Sequence, residues 1–186
     1  MPQHPVLLVP AVLPLHPPLR LSLRRGFTLI ELMVTLSVLM VVTSVALPSM
    51  ADFLANNQVV ASKTAFASAV ALARTEAVKR GRVVILQALG EGPAGNEFIN
   101  GWEIVSDDDG NGVAGAAETR LRRAAGTQDK VRLSGHASLA FRATGALVGT
   151  AAEVYTVCRA SGSTMGYSIT VTPSGATDVS SITTCS

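Results

Sequence analysis

Four groups of residues in this chain carry a chemical capacity beyond packing. The first is the run "DDDGNGVAGAAE", residues 107–118. Asp107, Asp109, Asn111, Gly112 and Glu118 fall at the ligand and turn positions of a twelve-residue calcium loop, with Val113 placed to offer its backbone carbonyl. Hard oxygen donors at alternate positions, a glycine for the sharp turn and a distal carboxylate are what calcium requires. Asp, Asn and Gly are equally the ordinary residues of a long hairpin turn, and the flanks read as strands rather than as a helix pair. Both readings stay open, and no other cofactor is expected. The second group is the only two cysteines, Cys158 and Cys185. Outside the cytoplasm an even pair reads as a disulfide; in the cytosol it reads as two unrelated thiols.

The third group is one residue, Glu31, a carboxylate inside the apolar run "FTLIELMVTLSVLMVVTSVAL". A charge at the centre of a bilayer helix costs on the order of 3 kcal/mol, less near the interface. Its natural partner is a positive group at the same depth. A cut after Gly26 would give Phe27 a free amine one turn before Glu31, on this chain or on a neighbour. The fourth group is Arg120, Arg122, Arg123, Lys130 and Arg132, on two strands that could present a basic face to nucleic acid; the alternative is a solvated strand face. No catalytic residue is expected. From Phe27 onward His136 is the only histidine, and no nucleophile elbow, phosphate loop or dinucleotide fingerprint occurs.

Composition and periodicity give the scaffold on which these groups would sit. Residues 1–23 hold Pro2, Pro5, Pro10, Pro14, Pro17 and Pro18, too many for a stable helix, so they read as an unstructured leader, which the cut after Gly26 would extend to residues 1–26. Phe27 to Leu47 is about 21 residues with one ionisable group, enough to span a bilayer as a helix. Arg24 and Arg25 precede it and no basic residue comes soon after it, which orients its N-terminus to the cytoplasm and exports the C-terminal remainder of the chain. Export favours the Cys158–Cys185 bridge, whose loop of about 28 residues is worth roughly 3 to 4 kcal/mol on the chain-entropy model. Pro48 removes a backbone donor, so a kink or loosened turn is expected there.

From 48 to 81 the chain reads as an amphipathic helix. Val59, Phe66, Ala69, Ala73 and Ala77 mark one face, Glu76 pairs with Arg80 across one turn, and Gly81 stands at the cap. Residues 82–186 then change to short runs divided by glycine: "RVVILQA", "EFINGWEIV", "TRLRR", "KVRLS", "SLAFRA", "VYTVCR", "MGYSITVT" and "ATDV". With no helix between them, these strands should pair antiparallel. The fold class is α+β, a long N-terminal helix packed on antiparallel sheet. The formal charge is only +2, and Arg20, Arg24 and Arg25 lie before Phe27 with no acid, so the folding part is near neutral. That balance argues against nucleic-acid binding through bulk charge.

The stretch Arg24-Arg25-Gly26-Phe27-Thr28-Leu29-Ile30-Glu31-Leu32, with the apolar run and Pro48 behind it, resembles the class III signal of type IV pilins and type II secretion pseudopilins. The resemblance implies a prepilin peptidase that cuts between Gly26 and Phe27 and methylates the new amine of Phe27. It also implies that Glu31 docks the subunit against the amine of the preceding subunit in a filament. Leu72 to Val84, Gly101 to Arg122, "LAFRATGAL" and the closing cysteine segment are similar to the GspH/FimT branch of minor pilins and pseudopilins. The resemblance implies the type IV pilin fold, with a single-pass anchor in the inner membrane and a periplasmic β domain. The implied partners are the prepilin peptidase, other pilins or pseudopilins, and an inner-membrane assembly platform. The implied end point is assembly into, or at the tip of, a type IV pilus or a type II secretion pseudopilus. Some FimT-branch relatives take part in DNA uptake through an arginine-bearing turn before the final cysteine. The corresponding turn here, Ser174 to Asp178, lacks both arginines, which counts against nucleic acid as a partner; a DNA-binding protein displayed on the pilus is the alternative function.

Overall fold

The computed structural model describes residues 26–115, 118–127, 130–160 and 166–185. The expected leader, up to residue 25, lies outside the described residues. One helix, α1 (Leu29–Arg80), is followed by eight strands: β1 (Val84–Ala88), β2 (Gly101–Ser106), β3 (Thr119–Ala125), β4 (Val131–Ser134), β5 (Ser138–Phe141), β6 (Glu153–Arg159), β7 (Gly166–Val171) and β8 (Thr177–Ile182). The chain divides into two units, one ending at Thr43 and one spanning Ser44–Ser186.

In the first unit the helix starts at a threonine cap. Thr28 Oγ1 accepts the Glu31 backbone N–H at 3.2 Å, which satisfies one of the orphan donors of the first turn. The apolar side chains behind it are exposed, among them Leu29, Ile30, Leu32, Met33, Leu36, Leu39 and Met40. The helix is long and apolar enough to cross a membrane, with a mean hydropathy of 2.2 over a window of 18 residues. The hydroxyls set into this stretch bond back to the helix: Thr35 Oγ1 to the Leu32 carbonyl at 2.9 Å, Ser37 Oγ to Met33 at 2.8 Å and Thr43 Oγ1 to Leu39 at 2.8 Å. No polar atom of these three side chains is thus left unpaired toward hydrocarbon. The helix runs on without a break through position 48, where the kink or loosened turn was expected.

In the second unit the helix presents the face that its periodicity marks. Val59, Phe66, Ala69, Ala73 and Ala77 are all buried, and Val70 joins them. The alanines let strands approach closely, while Phe66 fills the centre of the packing. Its ring lies 5.0 Å from Phe98, 5.5 Å from Trp102 and 4.9 Å from Tyr155, mostly in edge-to-face arrangements. Burial pushes the Tyr155 phenol upward, with the Glu153 carboxylate adding to it. The helix ends as its sequence announces. Arg80 Nε donates to Glu76 at 2.7 Å, and Gly81 takes φ 65° while its N–H bonds the Ala77 carbonyl at 3.0 Å. That φ is one that glycine adopts without strain.

All strand pairs are antiparallel, as expected, but they form two four-stranded sheets, ordered β3-β2-β1-β5 and β4-β6-β7-β8. Both sheets feed one core beneath the helix: Leu86, Ile104 and Phe141 from the first, Leu133, Tyr155 and Ile169 from the second. One strand is shorter than expected. "EFIN" is a turn and β2 begins only at Gly101, because the Ile99 N–H bonds the Asn96 carbonyl at 3.2 Å and the Gly101 N–H bonds Phe98 at 2.9 Å. Glu97 holds that turn, accepting the N–H of Gly95 at 2.8 Å and of Gly135 at 3.1 Å. The turn drives Phe98 fully into the core, where a continuing strand would have set it on the pleat.

Candidate functional site

Gly26 and Phe27 form a non-helical lead into α1, and Phe27 is 78% exposed. Both sides of the expected cut are therefore accessible in this segment. Glu31 is exposed and has no ion-pair partner among the described residues. Thr28 is the functional neighbour that reading for charge misses. The spacing Thr28-x-x-Glu31 is a capping-box signature, so position 31 is also where a helix start accommodates a carboxylate.

The acidic loop joins β2 to β3. Asp107 is buried; its Oδ1 accepts the Gly110 N–H at 2.8 Å and its Oδ2 the Gly112 N–H at 3.0 Å. Asp109 accepts the backbone N–H of Asn111 at 3.0 Å, and Asn111 Oδ1 that of Val113 at 2.7 Å. Glu118 Oε2 accepts the Gly115 N–H at 2.7 Å. One carboxylate oxygen from each of Asp107, Asp109 and Glu118 lies within 4.8 Å of the others. The intervening Asp108 points to a different task. It takes Arg82 Nη1 at 2.9 Å, Thr119 Oγ1 at 2.6 Å and the Thr119 N–H at 3.1 Å. The Thr119 hydroxyl foremost, then the Ser106 side chain, with the Thr119 N–H and Arg82 adding less, hold its carboxyl down at about 2. Asp108 thus latches the loop base to the start of β1, a role that the run of three aspartates does not signal.

Cys158 on β6 and Cys185 beyond β8 are bonded, with 6.0 Å between their Cα atoms. The basic group is distributed over two strands. Arg120, Arg122 and Arg123 lie on β3 and Arg132 on β4, with Lys130 just before it, and these strands are edges of different sheets. Arg120 is further engaged with the buried Glu103 at 3.2 Å. The Ser174–Asp178 turn joins β7 to β8, and its Gly175 N–H bonds the Thr172 carbonyl at 2.8 Å.

The family model described as type II transport protein GspH matches residues 64–175. The model of the prokaryotic N-terminal methylation motif matches residues 21–47. The crystal structure of the type IV minor pilin FimU of Pseudomonas aeruginosa (strain PAO1) is similar at a TM-score of 0.56 and 20% identity, over 67% of this chain and 90% of that one. A second crystal form of the same pilin gives 0.49 and 22% identity, over 61% and 85%. The first form carries the likeness, which is one of fold: a long N-terminal helix packed on antiparallel strands. No curated protein matches the chain. The methylation motif falls on the exposed helix start, and the GspH match takes in more than half the chain, from the buried helix face to the β7–β8 turn. On both counts the chain belongs to the GspH family of minor pilins and pseudopilins.

Proposed function

We propose that this protein is a filament subunit, a structural part rather than an enzyme, built into or at the tip of a type IV pilus or a type II secretion pseudopilus. The observation that carries the reading is the order of features at the helix start. An accessible Gly26–Phe27 bond precedes a capped, lipid-compatible helix with Glu31 in its first turn, and the methylation-motif match covers the same segment. Prepilin peptidase cuts that bond and methylates the Phe27 amine. Before assembly the helix anchors the subunit in the inner membrane, with the second unit in the periplasm. The Cys158–Cys185 bond supports that side, because such bonds persist in oxidising compartments.

Assembly then exchanges lipid contacts of the exposed apolar face for contacts with neighbouring helices. Packing of one apolar helix on another is nearly degenerate along the axis, whereas a carboxylate in hydrocarbon needs one cation at one depth. Glu31 meets that need through the amine of an adjoining subunit and so sets the register. Intact-mass and N-terminal analysis of the protein from peptidase-bearing cells checks the processing. The expected product begins at N-methylated Phe27; a retained leader or another starting residue overturns it.

A further inference from the structure

We propose that the β2–β3 loop binds one calcium ion through Asp107, Asp109, Asn111, the Val113 carbonyl and Glu118. The proposal goes beyond assembly and does not depend on it. Positions one, three, five, seven and twelve of this loop supply oxygen ligands, and the sixth is Gly112 at φ 78°, where the chain turns sharply. Spacing of this kind alone would fit a plain turn. The second observation is Glu118. Its side chain is carried to within 4.8 Å of the Asp107 and Asp109 oxygens, and the residue is 9% exposed. Oε2 accepts the Gly115 N–H, but the buried Oε1 has no hydrogen-bond partner among the described residues. A buried carboxylate oxygen without a donor is strongly disfavoured, more so beside two other carboxylates.

A cation relieves both penalties at once, and among the described residues no side chain supplies it. Arg82 is taken by Asp108 and Arg120 by Glu103, and no ion pair reaches Asp107, Asp109 or Glu118 among the described residues. The loop's own hydrogen bonds are compatible with an ion. The Gly110 and Gly112 N–H groups fix the Asp107 carboxylate, and each oxygen keeps a lone pair for metal. The donors are all oxygen, as a hard ion requires. Their number, with a backbone carbonyl among them, suits calcium better than magnesium, which demands near-ideal octahedral geometry and gives up water reluctantly. Bound calcium would tie Asp107, next to the end of β2, to Glu118, next to the start of β3.

Thermal unfolding of the full-length chain in detergent, followed by the fluorescence of its single tryptophan, Trp102, tests this. Relative to excess chelator, about 5 mM calcium is expected to raise the midpoint by about 3 to 8 °C, with half-saturation near 10⁻⁴ to 10⁻³ M, as in extracellular calcium modules. Glu118→Gln keeps the shape and loses the charge; Asp109→Asn does the same at an exposed ligand, in case the buried variant does not fold. Both are expected to abolish the rise. Equal midpoints in calcium and chelator overturn the proposal, as does a rise that survives in a folded variant or that magnesium reproduces at equal concentration.

Discussion

Asp108 shows how much of the loop depends on one side chain that no metal pattern includes. Its neighbours Asp107 and Asp109 turn toward the ligand cluster, while Asp108 turns to Thr119 and Arg82. Those bonds lower its pKa in the folded state to about 2 from an ordinary 3.8. A folded pKa below the unfolded one means stabilisation that is present above the ordinary carboxylate pKa and lost as pH falls through the folded value. Melting profiles in chelator between about pH 4 and pH 2 should therefore fall more steeply for the natural protein than for Asp108→Asn; parallel profiles would remove the latch from the account. At the same scale, the motif around Gly26, Phe27 and Glu31 is legible in sequence because its pattern is local: a basic pair, a glycine, a charge in an apolar run. Thr28 is equally local, yet reading Glu31 by charge alone passes over it. The lone Oε1 of Glu118 is not legible, since burial of one oxygen depends on what folds around it.

Among the elements, the helix is the most legible and the strands nearly so. A face of Val59, Phe66, Ala69, Ala73 and Ala77 repeats at helical spacing, and all five are buried. Phe66 carries most of that face, touching Phe98, Trp102 and Tyr155. Phe66→Ala is expected to cost about 3 to 5 kcal/mol of unfolding free energy, from lost burial and the cavity left behind. Phe53, on the same helix but 60% exposed, should cost less than about 0.5 kcal/mol as Phe53→Ala. Chemical denaturation of the detergent-solubilised chain compares the two, and similar losses would show that the helix packs by another face. Alternation and glycine breaks locate all eight strands, because they reflect a pleat with one buried side. "EFIN" misleads because its apolar residues serve a turn. Phe98 enters the core from a bend that Asn96 and Glu97 hold in place through long-range hydrogen bonds, including that from the Leu133 N–H to Asn96 Oδ1 at 3.0 Å.

For the molecule as a whole, the division of the strands into two sheets decides most of what composition left open. It puts β3, with Arg120, Arg122 and Arg123, and β4, with Arg132, at edges of different sheets. It also gives the disulfide its role, since Cys185 lies beyond the exposed edge strand β8 and Cys158 on the interior strand β6 of the same sheet. With a sequence separation of 27 between the two cysteines, Cys185→Ser is expected to lose about 3 to 4 kcal/mol, read as a lower melting midpoint that reductant does not lower further. An unchanged midpoint would mean that the tail adds nothing to the sheet. Local composition and period were enough to specify the membrane-length helix, the buried helix face, the positions of the strands and the α+β class. Each of these needs only near neighbours in the chain. Three-dimensional packing alone settled which strands pair, where the sheets part, and that one oxygen of Glu118 is buried without a donor among the described residues. Those facts arise where segments far apart in sequence meet, and hydrophobic patterning names a strand's buried side without naming its partner.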